Sequence, residues 1–545
     1  MHAARRRLTA AAAAVTVALS GASCSQGGAG ARNAAGIVRA SWGDPQNPLE
    51  PANTNEVQGG KVMGMIFRGL KRYDPKTGRA RNMVAESIIS GDQQNFTITL
   101  KPGWTFSDGT PVTAKSFVDA WNYAALVTNK QINAPFFGYI EGYEQVHPEA
   151  PDAAPSATTM SGLKIVDERT FTVRLTQKFS TWPQTLGYTA FVPLPEVFFT
   201  DHDTWLRKPV GNGPYTVDSY TKGTGMKLSR SKNYHGPDRA RNGGVELKVY
   251  TDSNTAYTDL QAGNLDVSDD IPAFQLPNVA KDLGQRYINQ PVGVTHALSF
   301  PMYRHQFGSD TALKLRQGLS MAIDRAQITK TIYHGTYVPA TDWTSPVLQR
   351  TGGYRPGLCG QLCTYNPQRA RQLIEAAGGL PGGKVTLTAN VDTGSHRLWM
   401  EAVCNDINNV LGKDDACTVH PEATFAGFRE QVVAGQMTGP FWSGWQMDYP
   451  LIQDFLQPLY YTKASGNDSG YSSKAFDKLV DQANAEDDTA AAVRTFQQAE
   501  QVLAEDFPVI PLWYQNGTAG YSSKVSDVAL DAFDIPVFTD IKVSG

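Results

Sequence analysis

The chain has 545 residues, of which 41% are hydrophobic, 19% charged and 10% aromatic. That composition can fill the cores of several folding units and excludes disorder as the main state. A net charge of −3 excludes a protein built to grip nucleic acid, which would be far more basic.

Residues 1–23 read as an export signal and not as part of the fold. Arg5, Arg6 and Arg7 form a positive start, and Leu8 to Leu19 is an Ala/Val/Leu/Thr run too short to cross a bilayer permanently. Gly21, Ala22 and Ser23 then precede Cys24. The arrangement resembles a bacterial lipoprotein signal, in which cleavage leaves a lipidated cysteine, although Gly21 stands where leucine is commonest. Residues 24–35 are rich in glycine and alanine and read as a flexible tether. No further run of about 18 apolar residues follows, so no spanning helix is expected.

Strands and helices alternate along the rest. Asn95–Leu100 places Phe96, Ile98 and Leu100 on one face, and Thr170–Leu175 does the same with Phe171, Val173 and Leu175. Between them, Asp108 and Gly109 mark a tight turn, and Thr113 can cap a helix carrying Phe117, Val118 and Trp121. Asn366-Pro367 opens a helix with Ala370, Leu373, Ile374 and Ala377, closed by Gly378-Gly379 ahead of a strand from Val385. Ser473 caps a helix with Phe476, Leu479, Val480 and Ala483 on one stripe. Residues 489–507 carry Val493, Phe496, Val502, Leu503 and Phe507 at helical spacing. Pro- and Gly-rich stretches at 148–162 and 378–383 read as surface loops. The class is therefore mixed α/β, and the absence of a 20–50-residue repeat argues against a solenoid or propeller.

Export also sets the cysteine chemistry. With Cys24 assigned to lipid, Cys359, Cys363, Cys404 and Cys417 remain, and an oxidising space favours disulfides. Three connectivities are possible, of which Cys359–Cys363 with Cys404–Cys417 is the simplest. A zinc site fits the C-x3-C and C-x12-C spacings poorly.

The search for catalytic chemistry is negative. There is no His-Glu-x-x-His and no Gly-x-Ser-x-Gly, and the nine histidines are dispersed. The stretch Gly378 to Lys384 falls short of a phosphate loop, because Val385 replaces the magnesium-binding hydroxyl and Pro381 removes an N–H. Asp414-Asp415 and Asp487-Asp488 read as solvated helix-end charges. No enzyme, cofactor or metal is expected. What stands out is Pro440-Phe-Trp-Ser-Gly-Trp-Gln-Met-Asp-Tyr-Pro450, where Trp442, Trp445 and Tyr449 surround Asp448. Such crowding suggests a lined cleft. A buried carboxylate needs a cation, which is either an internal Lys or Arg or an amine on a ligand.

Lys101-Pro-Gly-Trp-Thr-Phe-Ser-Asp-Gly-Thr-Pro-Val-Thr-Ala-Lys-Ser-Phe-Val-Asp-Ala-Trp121 resembles the signature of the large extracellular solute-binding proteins that serve peptide and nickel ABC importers. Similar matches follow in the same order at Val210–Val217, Leu315–Arg325, Ser472–Val480 and Glu505–Leu512. The resemblance covers essentially the whole mature chain. It implies a periplasmic-binding-protein-like fold of two lobes, with an additional α/β subdomain in the first. The expected division is 36–58, 186–293 and 514–545 for lobe I, 59–185 for the subdomain, and 294–513 for lobe II.

Trp445-Gln-Met-Asp448-Tyr is similar to the oligopeptide-binding branch. By that resemblance Asp448 pairs with a peptide α-ammonium and Trp445 walls a side-chain pocket. Trp442, Tyr449, Phe425, His396, Phe136 and Phe137 are further candidate ligand contacts, although core packing serves the last four equally well. Residues 438–444 lack the arginines that help meet a peptide carboxylate in that branch, and Gln446 replaces a cysteine found in some relatives. The resemblance implies a monomer with a peptide ligand, ABC permease subunits as partners and a lipid tie to the membrane. The same fold could instead serve a nickel chelate, heme, an oligosaccharide or a signalling peptide.

Overall fold

The structure is a computed structural model that describes residues 36–150, 153–392 and 395–544. The signal segment, Cys24 and the tether lie outside the described residues. Two sheets dominate. The larger has eleven strands among the described residues. Its path runs Cys417–Glu422, Val385–Asn390, Phe441–Gln446, Tyr287–Ser299, Val509–Tyr521, Val267–Ser268, Ile37–Trp42, Gly244–Val249, Gly225–Arg230 and Tyr215–Thr221. A short strand, Tyr337–Pro339, pairs with Val509–Tyr521 off this path.

The two strands of 13 residues at the centre hold the molecule together. They pair antiparallel from Tyr287↔Gly520 to Ser299↔Val509. At one end Tyr287 packs on a small cluster of Tyr257, Leu260, Val279 and Leu283, while at the other Leu298 belongs to the core built around Trp399 and Trp513. The pairing shifts register between Pro291 and Val294. Pro291 cannot donate to a ladder, and Gly293 is pressed so close to the Met447 side chain that a Cβ would lie 2.3 Å from Met447 Cγ. These strands cross between two lobes.

Each lobe has its own core. In the first, Trp42, Phe67, Trp121, Phe171, Trp182 and Trp205 are buried together. A four-stranded antiparallel sheet, in the order Ala85–Ile89, Asn95–Leu100, Thr170–Arg174 and Leu163–Ile165, forms the additional subdomain on this side. The alternation seen in the sequence does its work here: Phe96, Ile98, Leu100, Phe171 and Val173 are at most 2% exposed. The Asp108 carboxylate accepts the Thr110 N–H at 2.9 Å, and Gly109 has φ 92°. The Thr113 N–H donates to Ser116 Oγ at 3.2 Å at the start of helix Ala114–Ala125.

The second lobe packs helices on the other half of the sheet. Asn366 caps Pro367–Ala376, Ser473 caps Lys474–Asn484, and Asp488 caps Thr489–Asp506. The last of these gives the Asp487-Asp488 pair a structural role, since the Asp488 carboxylate accepts the Ala491 N–H at 2.7 Å. Cys359 is bonded to Cys363, and Cys404 on helix His396–Leu411 is bonded to Cys417 at the start of strand Cys417–Glu422. No helix among the described residues is long and apolar enough to cross a membrane.

Candidate functional site

A cavity of about 260 Å³ lies between the lobes. The first lobe lines it with helix Val57–Ile66, strand Lys71–Tyr73, residues 187–189 and the segment 531–539. The second lobe contributes Gln446, Met447 and Asp448.

Local geometry aims Asp448 into this space. Strand Phe441–Gln446 ends where the Met447 N–H donates to the Gly293 carbonyl at 2.8 Å, and the Met447 side chain is 2% exposed. The Asp448 N–H then donates to Asp454 Oδ2 at 2.9 Å, and the Trp445 indole N–H donates to the same oxygen at 3.2 Å. Asp454 is 1% exposed and so acts as a post that fixes both neighbours. From the first lobe, the Tyr188 hydroxyl lies beside the Asp448 carboxylate and lowers its pKa. The Tyr188 ring stacks on Phe136 with centroids 4.3 Å apart.

Asp448 has no Lys, Arg or His partner among the described residues. It is half-buried and faces the cavity. Burial pushes its carboxyl up to about 7, with the Tyr188 hydroxyl offsetting part of that rise. Burial and then the Asp448 charge push Asp454 well above the carboxylate range. Of the two carboxyls, Asp448 is the one that faces the cavity. An ionised Asp448 is a charge without a counterion.

The other candidates separate into groups. Tyr449 is 7% exposed and donates to Gln453 Oε1 at 2.5 Å, the first link of a chain through Gln457 to Tyr139 and Asn484. Trp442 lies on the opposite face of its strand from Trp445. Its indole N–H donates to His296 Nδ1 at 3.1 Å, and its ring centroid is 4.4 Å from that of His396 and 6.2 Å from that of Phe425. His396 is buried, with Nδ1 2.9 Å from the Asn390 carbonyl, whereas Phe425 is 46% exposed. Phe136 is half-buried and reaches the site through Tyr188. Phe137 is 0% exposed and packed against Trp121 and Phe191, on the core side of its turn.

Sequence reasoning missed Tyr188, Asp454, Tyr73, Lys71 and Phe533. Tyr73 packs on Phe533 at 5.5 Å and feels the charges of Asp454 and Asp448. None of these lies in a periodic or motif-bearing stretch, and only the tertiary fold brings them to Asp448.

One backbone feature adds to the site. Strand Phe441–Gln446 pairs with Val294–Ser299 along its whole length, but among the described residues its other edge pairs only with Thr388, opposite Phe441. Beyond Phe441 that edge is open, and Gly444 and Gln446 are exposed. An open edge accepts an extended chain through backbone hydrogen bonds.

The family model for bacterial extracellular solute-binding proteins, family 5 Middle, matches residues 80–467. The oligopeptide-binding protein OppA of Bacillus subtilis (strain 168) is 23% identical over 496 residues, covering 86% of each chain. The unliganded open form of MppA, a periplasmic murein tripeptide binding protein, superposes with a TM-score of 0.77 at 22% identity, covering 94% of this chain and 97% of that one. Haemophilus influenzae OppA in complex with RPPGFSPFR gives 0.74 at 19% identity, covering 94% and 99%. At such identities the solved structures speak for the shared fold.

Proposed function

The chain belongs to the bacterial extracellular solute-binding proteins of family 5, and from that premise we propose that it captures peptides for an ABC importer, with Asp448 pairing the peptide α-ammonium. Family 5 members bind solutes, and transport needs no covalent step from this chain. The observation that carries the reading is Asp448 itself, a carboxylate facing an interlobe cavity with a tyrosine for company and no cation among the described residues. A peptide amine supplies the missing charge through a charge-assisted hydrogen bond. The open edge beyond Phe441 supports a peptide over a sugar, because it offers main-chain donors and acceptors in strand geometry. That OppA of Haemophilus influenzae is solved with a nonapeptide, RPPGFSPFR, supports the same ligand class.

Capture follows from the crossing strands. Bending at the Pro291–Val294 irregularity separates the lobes, and closure brings Tyr188 to Asp448 and excludes water. In the dry cavity the ion pair strengthens. Losing its carboxylate partner would leave the ligand ammonium unpaired, at a cost of roughly 2–5 kcal/mol. The loaded protein then delivers its peptide to permease subunits while a lipid on Cys24 keeps it at the membrane. Native mass spectrometry of protein purified from its own cells tests the ligand class. Peptide masses released from the folded protein are the expected result; a nickel chelate, a porphyrin or an oligosaccharide would overturn it.

A further inference from the structure

Resting on that reading, we propose that Lys71 is the cationic counterpart of Asp448: it meets a carboxylate on the same peptide whose ammonium Asp448 holds. The charges around the cavity can be paired off one by one. Lys61 is bonded to Asp269 at 2.5 Å. Arg68 and Arg72 share Asp238, and the Asp531 carboxylate accepts the Phe533 and Ile535 N–H groups at 2.9 and 3.1 Å. The Glu56 carboxylate accepts the Gln58 and Gly59 N–H groups at 2.7 and 2.8 Å, which stabilises its charge at a helix start. Among the charged residues lining the cavity, Lys71 and Asp448 are then the two with neither an ion pair nor backbone N–H groups holding a carboxylate. Lys71 has no carboxylate and no hydrogen-bond acceptor for its ammonium among the described residues.

Position supports the role. Lys71 opens the strand Lys71–Tyr73, and a period of two places it on the same face as Tyr73. Tyr73 borders the cavity on Phe533 and feels the charge of Asp448. Lys71 lines that cavity from the first lobe while Asp448 lines it from the second, and the two do not pair with each other. Burial pushes the lysine ammonium down from its usual range, as it must for a cation with nothing to offset its lost hydration. A half-buried lysine with no structural partner is costly to keep and gains a counterion only from an occupant. A zwitterion satisfies both walls at once. The cavity, about 260 Å³, falls near the lower end of the roughly 300–1,000 Å³ found for ligand pockets, so the occupant is short. Lys71 also answers the lack of arginine in residues 438–444, since the anion is met from the opposite lobe.

The carboxylate can be a C-terminus or an acidic side chain, and calorimetry with three probes separates them: Ala-Ala-Ala, Ala-Ala-Ala-amide and Ala-Glu-Ala-amide. Lys71→Met should weaken at least one of the two carboxylate-bearing probes by about tenfold or more, leave Ala-Ala-Ala-amide unchanged, and be largely rescued by Lys71→Arg. The probe that responds names the source. The free Lys71→Met protein should melt no lower than the wild type, because an unpaired ammonium has been removed. Equal weakening of all three probes, no weakening of any, or a lowered melting temperature would overturn the assignment of Lys71 alone. A wild type that binds none of the probes would take down the peptide reading and this inference with it.

Discussion

Asp448 and Asp454 lie six residues apart and behave differently because one faces a cavity and the other the protein interior. Asp454 receives two N–H groups on one oxygen and is pushed well above the usual carboxylate range by burial, while Asp448 is raised to about 7. A pH dependence follows, with a definite sign. The folded carboxyl sits above its ordinary value of 3.8, so the free protein holds an extra proton between about pH 4 and 7. This group's contribution to stability is therefore complete below pH 4 and is lost as the pH rises through 7. Binding an ammonium requires the ionised form, so affinity for a peptide should fall roughly tenfold between pH 7.5 and pH 6. Asp448→Asn should abolish most of that slope. Calorimetry across the range checks both, and a flat profile for the wild type would contradict the assignment. Asp448 was legible in the sequence because an acid among tryptophans violates the ordinary pattern of a core. Tyr188 and Lys71 were not, because their meaning comes from what stands opposite them in space. Phe136 and Phe137 could not be told apart in the sequence, because adjacent phenylalanines in a short helical turn, Ala134–Phe137, point to different sides: one ring stacks on Tyr188 and the other enters the core.

At the scale of elements, short amphipathic segments were read well and long mixed ones were missed. Asn95–Leu100 alternates cleanly because one face is buried, and the helices after Asn366, Ser473 and Asp488 carry both a cap and a stripe. The crossing strand Tyr287–Ser299 contains Pro291, Gly293 and His296 and passes from one lobe to the other, so no single face stays buried along it. Its hydrophobic pattern has no period to detect. The disulfide between Cys404 and Cys417 ties helix His396–Leu411 to the next strand across a sequence separation of 13. Replacing both cysteines with alanine should destabilise the protein by about 3 kcal/mol, read by chemical denaturation. An unchanged midpoint would mean that packing alone holds that helix. Gly293→Ala is a sharper change, since a Cβ would collide with Met447, the residue that sets up Asp448. It should weaken peptide binding more than it lowers the melting temperature; an unaltered affinity would show that the crossing strand and the binding turn move independently.

For the whole molecule, two lobes and two long strands make a clamp whose jaws meet at several points. The Gln457 amide donates to the Tyr139 hydroxyl at 2.6 Å and the Ser180 N–H to the Asn484 carbonyl at 2.8 Å, and the Tyr188 hydroxyl lies beside Asp448. These contacts are polar, and parting of the jaws, as proposed above, would break them without opening either core. Small-angle scattering should show a smaller radius of gyration with saturating peptide than without, and identical curves would argue against hinge closure. The division into lobes was legible only through the family resemblance, because no composition shift marks a chain that enters the first lobe, leaves it and returns. The most direct test of the account is calorimetry of the wild type and Asp448→Asn against Ala-Ala-Ala and its N-acetyl derivative. The wild type should bind the free-amine peptide at least about tenfold more tightly than the acetylated one, and Asp448→Asn should bind both with similar, weak affinity. A wild type indifferent to acetylation, or a variant that keeps the full preference for the free amine, would contradict the claim that this carboxylate receives the ligand's charge.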